Sequence, residues 1–540
     1  MIPQRLSRLV SFRTLLGIVA IAGVVPLFCA RHLPIADLPE HVAAMATIRH
    51  YWDASWRSQE YFVLAGANET PYWLYHAIGA ALSVVTGSAE RANLVMMALV
   101  GLAYPYALRE LLVALRRDPR LALFGPALFW TQNLTVGLLN FVASVPFVLW
   151  GLSLVVRQTR APSRKRAVGL AVLSVAILYL HISAFAMFVA QALVLSLLAP
   201  GPVESARALL KRAVALPQKL VWLVPSFVCA VSIALAGRAG ADHQGHGGVV
   251  FQSRMEVLRK LPAWLFDLFR TKVDDVLGWG LVLALVLLVG FGAQRKRTAA
   301  ARFRTFTVVA LFLVSVATYA VMPAQVGAYA FLLDVRMAVF VGCFAVLLPS
   351  PRRTKPAALA HAFVFVFALG MATNAAYEVH AFARDDVGNF DALLQRMPRG
   401  ARLLSMDHAR YSTRTNGSVL HHYGSFYRAR YGGIASFSFS EMPHWPVQYR
   451  TQWLPPKPMT WGDPRAFDNA RDGDYFDFVL THGDALPFAN RPPGPEWEVI
   501  GVARAFRLYR KVRGTEERKK AESHARAPVL GDGPVVLRPE

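Results

Sequence analysis

The sequence predicts a polytopic α-helical membrane protein, with about 11 spans plus interfacial helices and a C-terminal extracytoplasmic α/β domain. Three observations carry that expectation. Of the 540 residues, 55% are hydrophobic, the mean hydropathy is +0.35, and the apolar residues fall in long blocks rather than in the short runs of a soluble core. Many of the Lys and Arg residues behind the net charge of +24 gather in short clusters between those blocks, as they do in cytoplasmic loops. After about residue 378 the blocks stop and aromatic, Pro and Gly residues mix with charged ones. A strongly basic chain can be a nucleic-acid binder, but charge dealt out between apolar blocks argues against that class. Cys29, Cys229 and Cys343 each lie inside an apolar run, which leaves no disulfide framework and no metal-ligand spacing.

The N-terminus, "MIPQRLSRLVSFRTLLGIVAIAGVVPLFCA", has the basic start and apolar body of a signal peptide. The many apolar blocks that follow favour a retained first helix over a cleaved one. Candidate spans run over about 12–30, 92–114, 121–137, 139–156, 167–181, 183–199, 220–237, 276–293, 305–322, 337–349 and 357–377. The run "PYWLYHAIGAALSVVTG" at 71–87 either spans or lies along the interface. Charge separates the two. If 71–87 does not span, the clusters Arg5/Arg8/Arg13, 116–120, 157–166, 207–219, 294–304 and 351–355 all fall on one side, as the positive-inside rule requires. The run is therefore read as interfacial, the N-terminus as cytoplasmic and the C-terminal domain as outside.

Three regions follow: a multi-span domain over 1–378 with its first outer loop at 31–91, an extracytoplasmic α/β domain over 385–511, and a disordered tail over 512–540. Within the second, a helix at about 387–397, a Pro-Arg-Gly turn and a strand are expected first. A strand at 474–483 and two strands around Gly501 follow.

The residues able to carry chemistry collect on the outer side. "ADLPEHVAAM" puts Asp37, Glu40 and His41 at a helix start just past the first apolar block. Asp37 reads either as an N-cap with Glu40 as a first-turn acid, or as a base or ligand facing a cavity at the membrane surface. Arg336 either snorkels at a helix end beside Asp334 or binds a phosphate with its planar fork. His181 occupies a tight outer turn, as a helix-end polar residue or a site residue. Arg254 and Arg259, on a basic amphipathic stretch, suit anionic headgroups or a lipid-linked phosphate. Asp242, His243 and His246 sit in a Gly-rich loop that reads as flexible rather than metal-binding. His421, His422 and Tyr423 read first as an aromatic loop packing on the membrane domain. The sequons at Asn68, Asn133 and Asn416 decide nothing without a compartment.

Together "ADLPEHVAAMATIRHYW" and "NETPYWLYHAIGAALSVVTGSAERANL" resemble the first hundred residues of the GT-C superfamily of membrane glycosyltransferases, especially bacterial relatives of protein O-mannosyltransferases and the aminoarabinose transferase, in a divergent branch. The resemblance implies an outer-loop acid acting as catalytic base or metal ligand and a polyprenyl-phosphate-linked sugar as donor. Asp37 matches that acid. Glu40 is the weaker companion, since Leu38 and Pro39 separate it from Asp37 where the family commonly has adjacent acids or a spaced pair. His41, His181, Arg254, Arg259 and Arg336 are the candidate substrate contacts, from topology. No motif calls for a cofactor, and a divalent cation is the one the resemblance allows; the expected partners are the polyprenyl-phosphate donor and membrane lipid. Two other classes stay open: a transporter or flippase of a lipid-linked or anionic molecule, which would place charges or broken helices near mid-membrane, and a non-catalytic membrane scaffold. Asp37, Arg336 and His181 on one cavity would mark the enzyme; an Asp37 that caps its own helix far from any cation would mark the scaffold.

Overall fold

The computed structural model describes residues 11–202, 205–239, 248–292, 298–327, 330–350, 354–409, 412–456, 467–483 and 496–512. The Gly-rich loop carrying His243 and His246 and the tail 513–540 lie outside those residues.

Among the described residues five helices are long and apolar enough to cross a membrane: Ala89–Ala114, Leu139–Arg160, Val273–Phe291, Ala299–Val321 and Lys355–Val387. The chain is an integral membrane protein. Shorter apolar helices cover Phe12–Phe28, Trp73–Thr86, Ile182–Leu198 and Val221–Ala236. Leu139–Arg160 runs through the middle of the bundle, buried nearly all round. A helix buried on every side must be apolar on every side, and its sequence "LNFVASVPFVLWGLSLVV" is.

Two expected spans take other forms. The block at 121–137 is not one helix. It breaks into a 3-10 turn (Pro119–Phe124) and two short helices, Gly125–Phe129 and Gln132–Val136. Pro119 and the Gly125–Pro126 pair interrupt the backbone ladder, Thr131 is extended and Gly137 turns left-handed. Irregular backbone at membrane depth is tolerated where protein buries it, and Leu121 to Thr135 are all buried. The second case is 337–349. It becomes the 13-residue helix Leu333–Ala345, buried almost throughout. Trp73–Thr86 has 14 residues, a rise of about 21 Å against a hydrocarbon core of about 30 Å. It is too short to cross upright.

The C-terminal region builds a five-stranded mixed sheet. Its strands are β1 (Arg402–Asp407), β2 (Ile434–Ala435), β3 (Phe478–His482), β4 (Trp497–Ala503) and β5 (Phe506–Lys511), in the order β2-β1-β3-β5-β4. β1 runs parallel to β2 and β3, and β5 antiparallel to β3 and β4. The last two strands turn at Arg504, which has positive φ, and not at Gly501, which lies inside β4. The helix after the last span is shorter than expected, Phe390–Leu394.

This region does not stand apart from the first outer loop. Helix Ser425–Tyr431, which connects β1 to β2, packs along helix Leu38–Arg49. Phe62–Leu64 pairs antiparallel with Val447–Tyr449. At the centre of the seam Glu40 and Arg428 form a fully buried ion pair at 3.3 Å, both 0% exposed. Ser425 Oγ, Ser438 Oγ and the Phe439 N–H also donate to Glu40, and the Ser438 and Ser440 hydroxyls accept from Arg428. Of the pair's side-chain polar atoms only Arg428 Nε lacks a hydrogen-bond partner among the described residues; satisfying the others offsets much of the cost of burying the two charges.

Candidate active site

Helix Leu38–Arg49 begins at Pro39, a good first-turn residue, and Asp37 stands at its N-cap position with φ −91° and ψ 0°. The Asp37 side chain makes no capping bond. The backbone of the broken segment holds it instead: Ala36 N–H donates to Thr135 O (2.8 Å) and Asp37 N–H to Val136 O (3.2 Å). Gly137 then turns away with φ +96°, in direct contact with Asp37.

The Asp37 carboxyl faces a cavity of about 250 Å³ together with His41, Tyr72, Asn140, His181, Arg336 and His444; Phe141, Phe331, Met442 and Trp445 supply much of its apolar wall. Asp37, His41, His181 and Arg336, separated in the chain by up to three hundred residues, are thus brought to one place. Glu40 is not. One turn from Asp37, it points away into the seam with Arg428. Arg254 and Arg259 are exposed on helix Arg254–Phe266, outside the cavity. His422 approaches Asp37, with Nε2 3.6 Å from Oδ1.

The electrostatics follow from enclosure. Burial, reinforced by the neighbouring Glu40 charge and opposed by Arg336, raises the Asp37 pKa from 3.8 to about 8. At pH 7 the group is mostly protonated, and the carboxylate a general base requires becomes the major form as pH rises past about 8. Among the described residues no carboxylate lies within ion-pairing distance of Arg336; its buried Nε has no hydrogen-bond partner, and neither oxygen of Asp334 has one. A guanidinium left unpaired against a cavity is unusual, because a buried unpaired charge is strongly unfavourable. Burial first, then the Arg336 charge, holds His181 well below its ordinary value and His444 at about 4. His181 Nδ1 accepts the Ser183 backbone N–H at 3.1 Å, so the neutral ring carries its proton on Nε2.

His41, on the cavity wall, forms a stacked pair with His76, which does not line the cavity. His41 Nε2 donates to Gly137 O at 3.0 Å, His76 Nδ1 donates to Tyr72 O at 2.8 Å, and His41 Nδ1 lies 3.0 Å from His76 Nε2. Both outer partners are carbonyls, which only accept. The central contact is a hydrogen bond only when the pair holds one proton more than two neutral rings. Burial opposes that charge and pushes His76 to about 4 and His41 well below its ordinary value. The two effects balance differently when an anion enters beside them.

Glu40 is saturated by its four partners, which leaves Asp37 as the lone first-loop carboxylate at the cavity. Among the described residues no cluster of three or more His, Cys, Asp or Glu is arranged to hold a metal ion.

Several cavity residues carry no mark in the sequence. Tyr72 lies in the run taken for a plain interfacial helix, as does His76, the partner of His41, and Met442, His444 and Trp445 lie in an aperiodic stretch. Only the residue types of "EMPHWP" hint at a binding surface.

No family model matches the sequence, and no curated protein matches it. Among solved structures, a single-particle cryo-EM structure of arabinofuranosyltransferase AftD from Mycobacteria is similar over 94% of this chain and 40% of that chain, at 14% sequence identity and a TM-score of 0.48. Two structures of a mutant of AftD align over 94% of this chain and 42% of theirs, at 14% identity and TM-scores of 0.45 and 0.43. This chain spans less than half the length of those proteins.

Proposed function

We propose that the protein is a membrane glycosyltransferase of GT-C type, moving a sugar from a polyprenyl-phosphate-linked donor to an acceptor hydroxyl at the outer membrane face. The observation that carries this reading is the pairing, in one partly apolar cavity, of an acid whose pKa lies near 8 with a guanidinium that, among the described residues, has no carboxylate within ion-pairing distance. The likeness of the first hundred residues to the family and the sorting of basic clusters to one side support it.

In this scheme the acceptor O–H loses its proton to an Asp37 carboxylate oxygen as its oxygen bonds to the anomeric carbon. The bond from that carbon to the donor phosphate oxygen breaks, and its electron pair stays on the phosphate. Arg336 offsets the developing charge, and its two-pronged geometry suits phosphate oxygens. His181 Nε2–H and Tyr72 are the further donors available at the wall. The apolar wall accommodates the first isoprene units and excludes water.

A second reading has one observation in its favour. The broken, buried segment 119–136 ends against the cavity, and discontinuous helices border substrate sites in transporters. One experiment separates the two. Protein in nanodiscs is given a labelled polyprenyl-phosphate sugar and extracted acceptors. Transfer of label by wild type, lost in Asp37→Asn while the variant still binds polyprenyl phosphate, is the result expected of the enzyme. Movement of the intact donor across the bilayer, equal in wild type and Asp37→Asn, would establish transport instead.

A further inference from the structure

Leu38, Ala46 and Arg49 of helix Leu38–Arg49 border a second cavity of about 480 Å³ that shares no residue with the first. Four arginines line it, Arg31, Arg49, Arg91 and Arg430, against one carboxylate, Glu90. Two of the four are already neutralised. Arg430 bonds both Glu90 and Asp391, and Arg31 lies 2.7 Å from Asp391 and 3.5 Å from Glu90. Arg49 and Arg91 remain. Arg49 gives Nη1 to the Ser83 carbonyl at 2.8 Å, and among the described residues neither arginine is paired with a carboxylate.

We propose that this crevice binds the phosphate group of a membrane amphiphile, with Arg49 and Arg91 as its ligands and the adjoining apolar wall as the seat of the first chain carbons. Three features point to this chemistry. Two unpaired guanidiniums facing one cavity suit the oxygens of a phosphate ester. The cavity opens at the start of Ala89–Ala114, where Ser88 Oγ already caps Arg91 N–H and the positive end of a 26-residue helix adds to the field. Leu38, Leu94 and Trp56 line the remaining wall, which a free anion would not require. The position suits the ligand too, since the start of a span beside a short apolar helix lies at headgroup depth. The inference is independent of the transfer reaction, because no residue of this crevice takes part in it.

The test uses the full chain in phosphatidylcholine nanodiscs carrying a few per cent of phosphatidic acid, with retained lipid counted by native mass spectrometry. Wild type should keep at least one phosphatidic acid more than Arg49→Ala/Arg91→Ala. Titrated affinity for that lipid should fall at least about tenfold in the double variant. Because Arg91 is exposed, Arg91→Gln alone tests the site without disturbing packing and should show a smaller loss of the same sign. Unchanged retention in both variants overturns the proposal. So does phosphatidylcholine that competes as well as phosphatidic acid, or inorganic phosphate that binds as tightly as the lipid.

Discussion

Gly137 and Asp37 are packed backbone to backbone: a Cβ at position 137 would fall against the Asp37 nitrogen and 2.7 Å from the Asp37 Cβ. The glycine also sits at φ +96°, where an L side chain is strained by about 1–2 kcal/mol. Gly137→Ala should therefore displace the carboxyl. A shift of about 1 Å at a reacting group can lower rates about a hundredfold, so transfer should fall by that order while the protein remains inserted. Assay of detergent-purified protein beside its unfolding temperature checks both halves.

Asp37→Asn should lower transfer by about 10²- to 10⁴-fold, the usual range for a lost general base. It should also change how stability depends on pH. The folded-state pKa of about 8 lies above the ordinary 3.8, so the folded protein binds the proton more tightly than the unfolded chain. The resulting stabilisation is complete below about pH 4 and lost as pH rises through 8. The unfolding temperature of wild type should fall across that window more steeply than that of Asp37→Asn. Parallel curves would refute the raised pKa.

Two substitutions should move the pH–rate profile in opposite directions. Arg336 lowers the Asp37 pKa and Glu40 raises it. Arg336→Gln should shift the rising limb of kcat/KM to higher pH and raise KM for the donor. Arg336→Lys, keeping the charge without the fork, should leave the limb in place and still weaken donor binding. Glu40→Gln should move the limb to lower pH. Shifts of the same sign for Arg336→Gln and Glu40→Gln would contradict the geometry.

The seam between the first outer loop and the C-terminal region depends on Glu40 and Arg428. Arg428→Met leaves a buried carboxylate unpaired and should destabilise by about 3–5 kcal/mol. The double variant Glu40→Gln/Arg428→Met should recover part of that loss. Thermal unfolding in one detergent gives the comparison.

The His41–His76 pair should take up a proton when an anion enters the cavity. At pH 7 a carboxyl with a pKa near 8 is already about nine-tenths protonated, so Asp37 adds little to the count. Calorimetry of polyprenyl phosphate binding, in buffers of different ionisation enthalpy, should report net uptake in wild type. His76→Gln should reduce it.

Sequence by itself determined the class of molecule and much of the outline. Long apolar blocks are read as spans, buried helices or interfacial helices, and a break in hydropathy near residue 378 marks where they end. The short strands after it were legible because alternation and turn residues are local signals; the turn at Arg504 was not, because Gly501 offered a competing one. The local signal also singled out Asp37, along with Glu40 and His41, as acids and an imidazole beside hydrocarbon. It could not tell Asp37 from Glu40. Three positions apart on one helix, they face different neighbours, and only the packing of Ser425–Tyr431 assigns Glu40 to a buried ion pair and leaves Asp37 to the cavity. The same holds for Arg336, whose meaning depends on packing that sets Asp37 across the same cavity and, among the described residues, leaves no carboxylate within ion-pairing distance of it. Tyr72, His76 and His444 join the site through contacts across hundreds of residues, which no periodicity encodes. The block at 121–137 shows the converse. Its hydropathy reads as a span, yet Pro119, Pro126 and Gly137 break it into the segment that holds Asp37 in place.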